Sequence, residues 1–218
     1  MHALLFEVEP RPGHGDHYFE HAARLRPIVD AEPGMLFIDR YQSLARDGVI
    51  LSHSLWQDEA ALSRWRTNAK HHASQSAGRT KHFQDYRIRI AEFIGHMEGG
   101  TLKDIAPPTT PYNDPAAQAP RFVVIVKGQA PASLDRVTAQ PIEDGETYLS
   151  VNTPGNHITV TEAPTLEAGE ALIAGLAGEV AVESAVLGLV ARDYGMFERG
   201  EAPQYYPEVA RPEDRSGG

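Results

Sequence analysis

Two tryptophans and two adjacent histidines lie within 17 residues, from Trp56 to His72. Trp56 and Trp65 are the only tryptophans in the chain, and His71 and His72 follow shortly after Trp65. Indole side chains offer a large flat apolar surface, and imidazole changes its protonation state near neutral pH. The segment therefore combines aromatic surface with groups that can accept a proton.

Four further candidates lie on predicted strands outside this helical segment. His53 and Phe37 lie in alternating strands, so each side chain points to one face of a sheet. If the His53 face is the interior of a barrel, this imidazole could contact a ligand there. Tyr86 and Arg87 begin a later strand, where they supply a phenol and a guanidinium group.

The composition predicts a folded, acidic protein. The chain has 218 residues, of which 41% are hydrophobic, and a formal net charge of -10. This charge argues against nucleic-acid and anionic-membrane partners, because both bind clustered lysine and arginine. The absence of cysteine excludes disulfides and thiolate chemistry. No apolar run is long enough to span a membrane, and the N-terminus reaches a charge too soon for a signal peptide, so we expect a cytoplasmic location.

The first half of the chain predicts a β-α-β-β-α-β unit. Apolar residues alternate in four segments and recur at helical spacing in two others. Asp47-Gly48 predicts a tight hairpin turn, Asp16 is suited to cap the first helix, and the second helix is expected to begin near Asp58. The predicted strands are residues 3–8, 35–44, 49–56 and 86–94.

The second half repeats this order in a weaker form, after a stretch rich in proline. We expect strands at residues 122–126, 147–151, 157–161 and 186–191, a short helix at 132–137 and a longer one at 166–176. Proline removes backbone donors and fixes φ, so the stretch between the halves predicts an extended linker. The expected organisation is a first domain at 1–95, a linker at 96–120, a second, degenerate domain at 121–207 and a flexible tail at 208–218.

One pattern extends from the end of the third strand to the start of the last strand of the first half. It consists of Trp56-Gln-Asp-Glu-Ala-Ala-Leu-Ser-Arg-Trp65, His72, Gln75, Arg79 and Tyr86-Arg-Ile-Arg89. This pattern resembles the domain of the antibiotic biosynthesis monooxygenase family. The resemblance covers residues 1–95 well and the second half only by topology.

The resemblance implies an α+β fold in which two ferredoxin-like β-α-β-β-α-β units join antiparallel sheets into a barrel of the dimeric type. In most members of that family the two units come from a homodimer. In this chain the tandem halves can build the barrel alone, and a further homodimer remains open.

The resemblance also implies an activity, the oxygenation of aromatic phenols without flavin or metal, so we expect no cofactor and no metal. Such chemistry needs an apolar pocket, a base and the exclusion of bulk water. On this interpretation Trp65 lines the pocket, His72 accepts a proton and Tyr86 or Arg87 stabilises the phenolate. Substrate contacts are expected from His53, Trp56, Phe37 and Arg87. The substrate would be a small aromatic phenol or quinol.

Other interpretations remain open, because each of these side chains also suits packing. The chain could be a non-catalytic member of the same fold that binds a small apolar ligand or serves a structural task. The heme-degrading relatives fit less well, since Gln75 stands where their axial histidine would fall and Phe6 near their first-strand asparagine. His14, His17 and His21 recur at helical spacing, and His17 and His21 share one face of the helix. A histidine pair of this kind without a third ligand binds metal weakly.

Overall fold

The computed structural model describes residues 1–98, 101–103, 121–129, 145–176, 178 and 181–211. The first half forms four strands, three α-helices and one π-helical turn, and the second half adds strands and a helix in the same order. The elements are β1 (His2–Pro10), α1 (Gly15–Asp30), β2 (Met35–Ser43), β3 (Ile50–Trp56), α2 (Glu59–Thr67), α3 (Ala69–Ala77), the π-helical turn (Gly78–His82), β4 (Phe83–Glu98), β5 (Thr101–Lys103), β6 (Phe122–Gly128), β7 (Glu146–Ser150), β8 (His157–Ala163), α4 (Leu166–Gly175) and β9 (Val182–Gly195).

Eight of the described strands close into an antiparallel barrel. Their order is β1-β3-β2-β7-β8-β6-β9-β4, and β4 pairs back with β1, while β5 extends the end of β4. The two halves meet at two seams, β2 with β7 and β4 with β9; Tyr41 lies opposite Ser150 in the first, and Ile90 opposite Arg192 in the second. The predicted α+β barrel of two ferredoxin-like halves is therefore confirmed.

Alternation along the strands separates two packing layers. Ala3 and Leu5 of β1 pack with Val123 and Ile125 of β6 in one buried cluster, which fills the barrel interior with side chains from both halves. The intervening residues of the first half point outward, where α1 and α2 cover them. Helix α4 covers the outer face of the second half. The layer between sheet and helices in the first half is the one that holds the candidate site.

The predicted second helix is divided into two helices at Asn68. Helix α2 begins beside Asp58 as predicted, and the Asp58 carboxylate caps it by accepting a hydrogen bond from the backbone N–H of Ala61 at 2.8 Å. At Asn68 the backbone leaves the helical region (φ -58°, ψ 126°), and the side chain accepts from the N–H groups of Lys70 and His71. This second cap starts α3 in a new direction, so the histidine pair does not continue the helix that carries Trp65.

Other boundaries also differ from the predicted ones. The capping role predicted for Asp16 is wrong, because α1 begins at Gly15 and makes no side-chain capping hydrogen bond. Strand β4 continues to Glu98 and β5 follows, so both reach into the first residues of the predicted linker. Most of that linker, and the helix predicted at 132–137, lie outside the described residues. Among the described helices, none is both long and apolar enough to cross a membrane.

Candidate active site

A cavity lies between the outer face of the first half's sheet and the helices that cover it. Its volume is about 160 Å³, close to the ~150 Å³ of an apolar cavity known to hold a benzene ring. Strands β1 to β4 form its floor, and α1 to α3 form its walls. The apolar lining residues include Leu4, Phe6, Leu25, Ile38, Leu62, Trp65, Phe83 and Ile88.

The hydroxyl of Tyr86 is held between two guanidinium groups at this cavity. Arg79 donates to the Tyr86 oxygen at 2.7 Å, and Arg199 donates to it at 3.0 Å. Arg79 is 3% exposed and is itself fixed by the backbone oxygens of Met196 and Pro207. Because the phenol oxygen accepts both of these bonds, its own O–H is free to donate to a molecule in the cavity.

Trp65 lies in a stack of three rings at the α2–α3 junction. Its ring centroid is 6.4 Å from that of Trp56 and 4.1 Å from that of His71, with interplanar angles of 24° and 13°. Nδ1 of His71 donates to the backbone oxygen of Trp65 at 2.9 Å. Burial lowers the pKa of His71 to about 4, so its imidazole is neutral at pH 7. With Nδ1 protonated, Nε2 is the nitrogen that can accept a hydrogen bond.

The polar lining carries positive charge although the chain as a whole is acidic. Among the described residues, the lining includes Arg40, Arg66, Arg79 and Arg199 and no carboxylate. Nε and Nη1 of Arg66 are buried and make no hydrogen bond with any described residue, while Nη2 donates to Ser63 at 3.0 Å. Four guanidinium groups in a lining without a described carboxylate favour a ligand with an anionic group.

The C-terminal segment forms the roof of the cavity. The hydroxyl of Tyr206 donates to Gln75 at 2.7 Å, and its ring stacks on His72 at 5.3 Å. Gln204 donates to the backbone oxygen of Arg66 at 3.2 Å. Both roof residues line the cavity, whereas the neighbouring Tyr205 is 86% exposed. A segment that follows the second half therefore completes a cavity built by the first half.

Two of the three residues predicted to be catalytic lie at the cavity. Trp65 and Tyr86 line it, but His72 is exposed and outside the lining, and its neighbour His71 lines the cavity instead. The α3 cap explains this, because it turns His71 back toward Trp65. Trp56, predicted to contact substrate, is fully buried behind Trp65 and donates to the hydroxyl of Ser54 at 2.9 Å.

The other three predicted contacts lie elsewhere. His53 and Phe37 face the barrel interior, with ring centroids 5.7 Å apart, and Lys127 lies 3.8 Å above the Phe37 ring. Burial holds the pKa of His53 well below its usual value, with Lys127 as a second cause. Arg87 pairs with Asp193 and Glu162 at distances of 2.6 and 2.7 Å. The sheet separates all three from the cavity, and their roles remain predictions.

Several site residues carried no assigned role in the sequence. Arg79 belonged to the recognised pattern without a function, and Arg66 reads as an ordinary surface position of a helix. Arg199 and Tyr206 reach Tyr86 and Gln75 from positions 113 and 131 residues away in the sequence. The sequence signal for the roof is the aromatic content of the C-terminal segment, which carries Phe197, Tyr205 and Tyr206.

The fold and this cavity define an α+β barrel protein with a roofed, positively lined pocket, and comparison with known proteins gives its family. A model of the family described as "Antibiotic biosynthesis monooxygenase" matches residues 1–77. "Jasmonate monooxygenase ABM" of Pyricularia oryzae is 32% identical over 223 residues, covering 96% of this chain and 100% of that protein. The chain belongs to the antibiotic biosynthesis monooxygenase family.

Other similarities are more distant. Protein YqjZ of Bacillus subtilis is 27% identical over 75 residues, which is 34% of this chain and 64% of that protein. The crystal structure of an anthrone oxidase-like protein covers 93% of this chain and 96% of its own, with 12% identity and a TM-score of 0.40. That of an antibiotic biosynthesis monooxygenase covers 49% of this chain and 100% of its own, with 18% identity and a TM-score of 0.38.

Proposed function

We propose that this chain is a monooxygenase of the antibiotic biosynthesis type, acting on a small ring-bearing molecule that it binds as an anion. The observation that carries the proposal is the cavity, with its apolar walls, its arginines and the fixed hydroxyl of Tyr86. Family membership supports the class of reaction, and the lining supports the charge of the substrate.

The proposed reaction draws its electrons from the substrate. A CH2 group made acidic by a neighbouring carbonyl or phenol loses a proton, and the electron-rich anion transfers an electron to dioxygen. In the overall change CH2 and O2 become C=O and H2O, so one oxygen atom enters the product and the other leaves as water. The substrate is oxidised and dioxygen is reduced, and no further reductant is needed.

The protein's part in this scheme is to stabilise the anion and exclude water. Guanidinium groups and the Tyr86 hydroxyl would stabilise negative charge on the substrate oxygen. This stabilisation is stronger in a site closed to solvent. This stabilisation makes the substrate more acidic, so a weak base can remove the proton. We assign that role to Nε2 of His71 in preference to His72, because His71 lines the cavity and His72 does not.

Two substrate classes fit this proposal. The first is the aromatic phenol or quinol inferred from the sequence, which would be bound as the phenolate beside Tyr86. The second is a small apolar acid, because the relative from Pyricularia oryzae is named for jasmonate and the described lining carries four arginines and no carboxylate. A guanidinium group donates charge-assisted hydrogen bonds to a carboxylate, which are stronger than hydrogen bonds between neutral groups.

The test is oxygen uptake by the full chain, treated with a chelator, over a panel of anthrones, hydroquinones and ring ketones with a carboxylate, jasmonate among them. We expect uptake above the uncatalysed rate for one class. Tyr86→Phe should lower kcat by roughly 10²-fold, the usual effect of losing one donor to a developing anion. Trp65→Phe should weaken substrate binding, because it removes part of the wall.

Tyr205→Phe is the matched control for Tyr86→Phe, since Tyr205 is exposed and outside the cavity. It should keep the full rate. If none of the compounds is oxidised although some bind the cavity, the monooxygenase proposal fails and the chain is a binding protein for small apolar anions.

A further inference from the structure

Four histidines converge at the rim of the cavity. His14, His17 and His21 lie at the start of α1, and His82 ends the π-helical turn. The ring centroid of His82 is 5.3, 5.0 and 5.6 Å from those of His14, His17 and His21. The fold thus brings a histidine from position 82 to the group on α1, and spacing along the helix alone could not show this.

Three of these imidazoles are arranged as a set of metal ligands. His14, His17 and His82 each offer a nitrogen atom, and the three atoms lie within 4.8 Å of one another. Two nitrogens bound to one ion at about 2.1 Å and at angles of 90–109° lie about 3.0–3.4 Å apart. Nδ1 of His14 and Nδ1 of His82 are 3.1 Å apart, so this pair needs almost no rearrangement. His17 is exposed and its side chain can rotate to complete the set.

The surroundings add a carboxylate near one of these ligands. Glu20 lies 3.7 Å from Nδ1 of His17, on the next turn of α1. Its negative charge favours a bound cation nearby.

We propose that His14, His17 and His82 bind one divalent transition-metal ion, such as zinc, nickel or cobalt, at the rim of the cavity. Imidazole ligands suit these ions better than they suit magnesium or calcium. Three protein ligands leave coordination positions for water or for an oxygen of a bound molecule. His17 and His82 also line the cavity, so the ion would lie at its edge. This proposal does not depend on the reaction proposed above.

The test is titration of the full chain, without an affinity tag, with zinc by calorimetry and with cobalt by visible absorption. We expect one ion per chain. His17→Gln should weaken metal binding by at least about 100-fold. Substituting a residue that only hydrogen-bonds to a metal ligand already lowers metal affinity by about 10–100-fold. His17 is exposed, so its substitution should not disturb folding. His82→Gln should have the same effect on affinity.

His96→Gln is the matched control, since His96 is an exposed histidine on β4, outside the cluster. It should bind zinc and cobalt as the unchanged chain does. The proposal is overturned if the unchanged chain binds neither ion, if His17→Gln and His82→Gln keep its affinity, or if His96→Gln loses as much affinity as they do.

Discussion

Arg66 offers a test of whether the ligand is an anion. Its side chain lines the cavity, and two of its nitrogens make no hydrogen bond to the described part of the chain. We expect Arg66→Gln to weaken binding of a ring ketone acid such as jasmonate by roughly 10- to 100-fold, the worth of a hydrogen bond to a charged group. Binding of its uncharged methyl ester should change little. Competition calorimetry on both ligands measures this difference.

Arg24→Gln serves as the control for Arg66→Gln, because Arg24 is an exposed arginine of α1 outside the lining. An equal loss for acid and ester in Arg66→Gln would show that Arg66 only supports the wall. An equal loss of acid binding in both variants would show an effect of net charge instead.

The sequence predicted the aromatic part of the site better than its charged part. Trp65 and Tyr86 were found because they belong to a recognisable pattern and their types suit a pocket. Arg79 and Arg199 act through contacts with Tyr86 that only the folded chain creates. The sequence predicts His72 rather than His71 at the site, because a helical pattern does not reveal that Asn68 starts a new helix between Trp65 and the two histidines.

At the scale of elements, α3 depends on its cap. Asn68 accepts hydrogen bonds from the N–H groups of Lys70 and His71, and α3 is only nine residues long. We expect Asn68→Ala to lower the free energy of unfolding by about 1 kcal/mol and Asn68→Ser to preserve most of it, because serine also caps helices. Urea unfolding of the three proteins checks this. Equal stabilities would mean that the cap does not hold α3.

The C-terminal roof segment leads to a prediction about ligand release. Tyr206 lies over the cavity and donates to Gln75, whereas Tyr205, the next residue back, is exposed. Tyr206→Ala should weaken ligand binding and speed ligand release, because it opens the cavity to water. Tyr205→Ala should do neither. Stopped-flow dissociation of a bound fluorescent phenol distinguishes the two, and equal rates would contradict a roofing role for this segment.

Most strands could be predicted because alternation follows directly from burial on one face. The Asp47-Gly48 hairpin could also be predicted, since Gly48 adopts the positive φ of 74° that such a turn requires. The π-helical turn could not be predicted from the sequence. It brings Gly78 so close to Phe83 that a Cβ at position 78 would lie 2.2 Å from the ring. This close approach between two residues five positions apart has no signature in the spacing of apolar residues.

The whole molecule is a barrel that two halves of one chain complete together. Side chains from both halves share the interior, and His53 lies among them with both ring nitrogens buried and unpaired within the described structure. Only the closed barrel explains this burial. The first-half sequence alone could predict that His53 faces one side of a sheet, but not that the second half would cover it.

Burial of neutral histidines makes the stability of this barrel sensitive to acid. The pKa values of His53 and His71 are lowered in the folded chain by burial, that of His71 to about 4. Below about pH 6.5 the unfolded chain therefore binds protons that the folded chain does not, and stability falls as pH falls. For His71 the loss by pH 5 is roughly 2 kcal/mol.

His53→Leu isolates the contribution of the barrel interior. Leucine fills a similar space without unpaired nitrogens, so the variant should be at least as stable as the unchanged chain at pH 7 and should lose less stability between pH 7 and pH 5. Urea unfolding at a series of pH values measures both. A variant with an unchanged pH dependence would contradict a neutral, buried His53.

The central claim is that the cavity oxygenates a small anionic ring compound. The most direct test supplies ¹⁸O2 to the chelator-treated full chain with the compound that supports oxygen uptake, followed by mass spectrometry of the product. We predict one labelled oxygen atom in the product, and much less product from Tyr86→Phe than from Tyr205→Phe. Unlabelled product, or binding without any product across the whole panel, would contradict the claim.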